Sequence, residues 1–430
     1  MKYFNSAMLG DVCENISRRF DFSTKEKIVF INTGDVLEGK FLHTKLSHKD
    51  NLPGQAKKAI KKNDILVSEI RPINKRHVFV EEELENHVVS TKFMVIKAKN
   101  QVLPKYLYYF FKDEKTVKKL QREAESRSGT FPQITFESIE YFSIYVPPKN
   151  EQIKIIFFID QIEKKIELNL KTNQTLEEIA KSLFKSWFID FDPTKAKADG
   201  RPTGLSKEIS DLFPNSFEKS ELGNIPTGWN NKNLSNFCTE NKKKIYPNLF
   251  PKQDFETYDI PSFDLSNYPS INKGSSLISQ KSLISDEMIL ISKLNPENPR
   301  IWNPLSKSEL LKVSSTEFIS LIPNENVKYF LLCHLQSYRS IKTLSSMVTG
   351  TSKSHQRVRK EDVLALKTIC PTKKLIELFN KEIKIIYSKI ELNLLQIKVL
   401  KELRNILIPK LTSGELRLSD SEDTVDEVGT

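Results

Sequence analysis

Four cysteines, at 13, 238, 333 and 370, lie far apart and form no CxxC pair. The six histidines show neither HExxH nor zinc-finger spacing. No disulfide framework and no metal site is expected from these residues. Cys13 and Cys238 each follow a Leu-x-x-Val/Phe step, and read as small buried residues rather than reactive thiols. No apolar run reaches the ~18 residues of a membrane span. Met1 to Gly10 carry no signal-peptide pattern, so a cytoplasmic chain is expected. There is no GxGxxG, no GKS/T phosphate loop and no GxSxG. The Asn-Pro steps at Asn295-Pro296 and Asn303-Pro304 do not continue into the Asn-Pro-Pro-Tyr of amino-methyltransferases. Glu163-Lys164-Lys165 and Glu382-Ile383-Lys384 have the Glu-x-Lys form found in nucleases, but both fall on heptad helices with no sheet to bring an upstream Asp beside them. No catalytic residue is expected.

What the chain has is positive charge and an internal repeat. The formal charge is +11, and the last twelve residues carry five acids and no base, so the rest of the chain is more basic still. A polyanion partner, nucleic acid or an anionic surface, is one reading, and a lysine-rich soluble protein is the other. The pentapeptide Ile166-Glu167-Leu168-Asn169-Leu170 recurs as Ile390-Glu391-Leu392-Asn393-Leu394, 224 residues later. The same shift carries Ser68 to Ser292, Pro72 to Pro296, Arg76 to Arg300, Glu137 to Glu361 and Pro147 to Pro371. The chain is two copies of one long unit, far above the size of a solenoid repeat.

Each copy reads as a mixed globular part followed by one long helix. Ile28–Ile31, Asp64–Ile70, His77–Val80, Phe93–Ile96 and Ile139–Val146 have the short β-branched or aromatic character of strands, and Lys105–Glu125 is helical in pattern. Met288–Leu294, Phe318–Ile322, Val327–Leu344 and Val363–Ile369 repeat the scheme. These elements predict an α+β class with a twisted, largely antiparallel sheet in each globular part. The expected boundaries are 1–147 and 227–371 for the globular parts and 148–192 and 372–418 for the helices. Residues 193–226 are expected to form a connector, and 419–430 an acidic tail.

The helices give the clearest local signal. Ile159, Ile162, Ile166, Asn169, Asn173, Leu176, Ala180, Leu183 and Trp187 alternate at spacings of three and four. Their counterparts are Ile383, Ile386, Ile390, Asn393, Ile397, Leu400, Arg404, Leu407 and Leu411. Both are heptad seams. A helix of ~38 residues rises ~57 Å, and its seam must be covered, so the two helices are expected to pair antiparallel. Centred near Lys171 and Leu395, that pairing sets Asn173 against Asn393 and Asn169 against Ile397. An Asn in such a seam costs stability but fixes register.

Candidate binding residues follow the strands. Arg71, Lys75 and Arg76 come after 64–70, and Lys293, Asn295 and Arg300 come after its counterpart. Arg and Asn at such tips read guanine and adenine edges in a DNA groove, although a solvated basic turn uses the same residues. Lys57, Lys58, Lys61 and Lys62, and Lys242 to Lys244, suit phosphates or plain surface. A loop with Arg127, Ser128, Thr130 and Gln133 has a counterpart with Thr351, Lys353, His355, Gln356 and Arg357. Both place a small residue, Gly and Thr ahead of a Gln that leads into a strand, and the second loop is a few residues longer. Such loops can cradle a phosphate and reach a base edge, and a simple helix-to-strand turn would look similar.

Three further phrases join these loops. They are Ser186-Trp187-Phe188-Ile189-Asp190-Phe191-Asp192-Pro193, Glu221-Leu222-Gly223-Asn224-Ile225-Pro226-Thr227-Gly228-Trp229, and Pro409-Lys410-Leu411-Thr412-Ser413-Gly414-Glu415-Leu416. With them the chain resembles the specificity subunit of type I restriction-modification systems over nearly its whole length. The Glu-Leu-Gly phrase precedes only the second globular part, which leaves the N-terminal edge of the first undefined. The resemblance implies two target-recognition domains, each reading half of a bipartite sequence in double-stranded DNA. It implies helices that pair as an antiparallel coiled coil and bind two methyltransferase subunits. In that family S-adenosylmethionine belongs to the methyltransferase, and ATP and Mg to a restriction/translocase subunit, while the specificity subunit is not catalytic. A fused methyltransferase or nuclease, and a scaffold that does not bind DNA, are the alternatives.

Overall fold

The computed structural model describes residues 6–127, 129–221, 223–306, 308–348 and 356–418. They form two compact units. One holds the described residues up to Glu167 together with those from Lys398 onward, and the other is Leu168–Ile397. Each unit therefore takes part of each long helix.

In the first unit, beside two short antiparallel pairs, Ser6–Met8 with Ser143–Tyr145 and Val36–Leu37 with Lys40–Phe41, most strands fall into two four-stranded sheets. One runs Cys13–Asn15, Phe93–Ala98, Ile65–Ser68, His77–Phe79, antiparallel throughout. Alternation explains its place. Leu66, Val78, Phe93 and Val95 point into a core shared with Val29, Ile31 and Val89 of the other sheet. Ile65, Val67, Met94 and Ile96 point the other way, onto the aromatic helix residues Tyr106–Phe111. Both faces are covered, which is why the strand Ile65–Ser68 is a continuous buried run. The second sheet runs Leu46–His48, Lys27–Ile31, His87–Ser90, Ala56–Ala59, and its two middle strands are parallel. In place of the single largely antiparallel sheet expected from sequence there are two four-stranded sheets, one of them with a parallel pair. The additional strands are short and half polar, and a parallel pair joins residues distant in sequence, so local pattern does not reveal them.

The second unit repeats this architecture. Its antiparallel sheet runs Cys238–Glu240, Phe318–Pro323, Ile289–Ser292, Ile301–Trp302. Its second sheet has five strands, and the pair Asp254–Tyr258 and Leu311–Ser314 is parallel. The expected helix 105–125 is two helices, Pro104–Lys112 and Glu114–Arg127, because Asp113 stops the first and caps the second. Its Oδ2 accepts the Thr116 N–H at 2.8 Å. Ser337, the counterpart of Asp113, caps Tyr338–Ser346 through the Ser340 N–H. The stretch 193–226 holds short helices at Asp192–Ala198 and Lys207–Ser210, then paired strands Phe217–Ser220 and Gly223–Pro226.

The long helices are Lys149–Phe188 and Lys373–Thr412, forty residues each, which makes them long enough to enter both units. Within the second unit, Asn393 Nδ2 donates to Asn173 Oδ1 at 2.7 Å, and Asn169 Nδ2 donates to Gln396 Oε1 at 3.1 Å. Numbers rise along one helix as they fall along the other, so the segments run antiparallel. Asn169 meets Gln396 rather than Ile397, whose side chain is buried one position further on. Ile390 is buried, whereas Ile386 is half-buried and its neighbour Tyr387 takes the inner position. Within the first unit Ile155 and Ile159 share a core with Ile408 and Leu411, and Ile162 and Ile166 are buried. Arg404, out of place in an apolar seam, binds Glu163 at 3.2 Å, and Glu163 also takes the Lys112 ammonium.

Two outcomes follow. Replacing Asn393 alone by Leu strands the Asn173 amide in the seam and should cost about 1–3 kcal/mol. The double replacement Asn173→Leu with Asn393→Leu should recover or exceed wild-type stability in chemical denaturation of the full chain. The second outcome concerns pH. Burial, reinforced by Lys112, Lys75 and Arg404, pushes His77 down to about 3, and burial with Arg339 pushes His334 down to about 4. Their folded values lie below the ordinary ~6.5, so the unfolded chain binds protons that the folded one refuses. Stability is complete above about pH 6.5 and falls as pH drops toward 4, on the order of 1 kcal/mol per pH unit for each histidine. His77→Gln should flatten the denaturation midpoint against pH between 6 and 4.

Candidate nucleic-acid interface

The same backbone device ends the central strand of each antiparallel sheet. Ser68 Oγ accepts the Ile70 N–H at 3.1 Å and donates to the Ile70 carbonyl at 3.2 Å, and Ser292 repeats both bonds with Leu294. A hydroxyl that satisfies the backbone two residues on turns the chain out of the ladder. Arg71 and Asn295 then adopt left-handed backbone, φ 44° and 50°. An incoming loop lies beside each turned strand. Arg71 N–H donates to Pro132 O at 3.1 Å and Ile134 N–H to Glu69 O at 2.8 Å. Asn295 N–H donates to Gln356 O at 3.2 Å and Val358 N–H to Lys293 O at 2.9 Å. Ile70 bridges Gln133, and Leu294 bridges Arg357. Behind each loop, Glu69 N–H donates to Lys92 O at 3.0 Å and Lys293 N–H to Glu317 O at 2.8 Å.

This pairing corrects one sequence expectation. Gln356 occupies the place of Pro132, and Arg357 the place of Gln133. The 224-residue register therefore holds at these positions. The helix before the loop ends at Ser346 in the second copy and at Arg127 in the first.

The side chains then separate into engaged and open groups. Lys75 is tied to Glu38 at 3.3 Å and Glu114 at 3.1 Å. Arg300 is clasped by Asp264 through two bonds, 2.7 and 2.9 Å. Both are candidate binding residues, and each has an acidic partner in this structure. Arg71 is exposed and makes no hydrogen bond or ion pair through its side chain with any described residue. Arg76, half-buried, has no acidic partner among the described residues and passes so close to Gly34 that an added Cβ would meet Nη1 at 3.1 Å. Arg127 donates to Thr135 Oγ1 at 3.0 Å, and Thr130 is exposed. Gln133 Nε2 donates to Glu69 Oε2 at 3.3 Å. In the second domain Lys293 Nζ donates to Thr316 O at 2.6 Å, Asn295 and Gln356 are half-buried, and Arg357 Nη2 donates to Glu317 Oε1 at 3.3 Å. Ser128, Thr351, Lys353 and His355 lie outside the described residues.

Sequence reasoning passed over Glu69, Lys92 and Glu317. The repeat register held a signal for Glu69, which aligns with Lys293, whereas Lys92 and Glu317 stand one residue out of that register and are matched only by the backbone bonds. Lys58 and Lys244, expected to serve phosphates, are partly enclosed. Lys58 Nζ donates to Phe93 O at 2.6 Å and Lys244 Nζ to Ser282 Oγ at 2.7 Å, and burial lowers both pKa values. Among the described residues no cluster of three His, Cys, Asp or Glu could hold a metal ion. Burial pushes the Cys13 and Cys238 thiols up to about 12, which suits packing rather than nucleophilic chemistry. No described helix is long and apolar enough to cross a membrane.

Residues 1–178 match the family described as the type I restriction modification DNA specificity domain. The type I restriction enzyme HindI specificity subunit of Haemophilus influenzae is 36% identical, over 95% of this chain and 98% of that protein. The MjaIX specificity subunit of Methanocaldococcus jannaschii is 28% identical over 76% of this chain and 72% of its own. The crystal structure of a type I restriction-modification S subunit from M. genitalium superposes with a TM-score of 0.50 at 12% identity, covering 96% of this chain and 97% of that one, which is a likeness of fold. With over a third of its residues shared with a specificity subunit along almost the full length of both, the chain belongs to the specificity subunits of type I restriction-modification systems.

Proposed function

We propose that the chain binds double-stranded DNA at a bipartite sequence, each globular domain reading one half. The observation that carries this is the repeated cradle: one backbone arrangement, bond for bond, bearing different side chains in its two copies. A device that is kept in form and varied in chemistry suits two different targets of one kind. The net charge of +11 suits a polyanion. The helices carry the repeated pentapeptide with its central leucine in water, Leu168 57% and Leu392 44% exposed, so this apolar position serves something other than the seam. We assign that surface to two methyltransferase subunits, which would bring S-adenosylmethionine. Restriction/translocase subunits would join with ATP and Mg. The chain supplies recognition and no catalysis, in the cytoplasm.

Mapping modified bases in DNA from cells that carry this chain with its methyltransferase partner tests the proposal. One two-part sequence with a spacer of fixed length is expected. Modification without such a sequence would refute it, as would S-adenosylmethionine binding by the isolated chain. Absence of DNA binding with the methyltransferase present would favour a plain scaffold.

The engaged and open arginines predict an asymmetry. Arg76→Ala should weaken DNA binding by about 1–3 kcal/mol and reduce the salt slope by about one. Arg300→Ala, whose guanidinium is already held by Asp264, should change DNA affinity much less. Fluorescence titrations at several salt concentrations would check both, and equal losses would mean that Asp264 releases Arg300 on binding.

A further inference from the structure

Within a backbone that is the same in both domains, three facing positions differ in kind. The first domain has Glu69, Lys92 and Gln133, and the second has Lys293, Glu317 and Arg357 in the same places. Acid and base have changed strands. Each cradle still holds one acid beside the residue on the incoming loop, Glu69 for Gln133 and Glu317 for Arg357. Stability gives little reason for this interchange. Arg357 is exposed and Gln133 half-buried, and polar pairs at a surface contribute little to a fold. Recognition gives a reason. A side chain that reads a base must be held in one orientation, and a neighbouring hydrogen-bond partner does that.

The chemistry of the two side chains then separates the targets. An amide offers a donor and an acceptor side by side, the match for N6 and N7 of adenine. A guanidinium offers paired donors, the match for O6 and N7 of guanine. Glu69 accepts from Gln133 Nε2 and so fixes which edge of the amide faces outward. Arg71 and Asn295, at the neighbouring kink, have no such orienting acid among the described residues. They suit phosphate contact, which positions without specifying.

We infer that Gln133 and Arg357 are the equivalent base-reading positions of the two domains, Gln133 for an adenine and Arg357 for a guanine, with Glu69 and Glu317 as their positioning residues. This rests on the DNA-binding reading above.

The test uses the full chain with its methyltransferase partner on a randomised DNA library, scoring which sequences become methylated. Gln133→Arg should lower the preference for adenine at one base pair of one half-site tenfold or more and leave the other half-site unchanged. Arg357→Gln should do the same to a guanine in the other half. Glu69→Gln should broaden the preference at the base pair that Gln133 reads, without moving it. Gln133→Leu and Arg357→Met keep an apolar stem, lack the amide and the guanidinium that would bond to a base, and should flatten the same single base pairs. They replace the first two variants if those fail to assemble. Unchanged preference at every position in Gln133→Leu and Arg357→Met overturns the inference, while a two-part wild-type sequence in the same assay leaves the DNA-binding proposal standing. A wild-type complex with no two-part sequence would instead overturn that proposal and this inference with it.

Discussion

A forty-residue helix with a continuous apolar stripe cannot remain alone in water, and this chain contains two. Everything else is arranged around covering those stripes. Each compact unit takes part of both helices and packs them against its own globular core. In the first unit Ile155, Ile159, Ile408 and Leu411 join the cluster built on Tyr106–Phe111. In the second, Phe184, Trp187, Phe188 and Phe379 form an aromatic group with Trp229 and Phe330. The helices are thus part of the domains as much as links between them.

Polar residues set where the apolar stripes must stop sliding. Slippage of the pairing would leave buried amides at Asn173 and Asn393 without a partner. Burial opposes charge on the Glu163 carboxylate, but Lys112 and Arg404, which share it, lower its pKa below the ordinary carboxylate value. The carboxylate ties a helix of the first globular part to both long helices at once, since Lys112 belongs to Pro104–Lys112. Register is paid for in desolvated charge and recovered in a fixed geometry.

Duplication then allows one backbone solution to serve twice. The hydroxyl-turned strand, the left-handed residue after it and the backbone bonds to the incoming loop are the same in both domains, so the positions of the variable side chains are set by atoms that do not vary. Within that frame the two copies differ in what those side chains can donate or accept.

The sequence by itself determined the elements whose cause is local or periodic. The 224-residue repeat, the strands around residues 28, 66, 78 and 94, and the two heptad helices follow from spacing alone. So did the meeting of Asn173 with Asn393, because antiparallel pairing of two copies leaves little choice of register. Only the tertiary structure decided the second sheet of each domain, in which one pair of strands distant in sequence lies parallel. It also decided which basic residues are open. Lys75 and Arg300 look like their neighbours in the sequence, yet Glu38, Glu114 and Asp264 reach them from elsewhere in the chain. The match of Gln133 with Arg357 rather than with Gln356 likewise needed the backbone bonds. Periodicity is written along a chain, while charge pairing depends on which distant residue folding brings within about 4 Å.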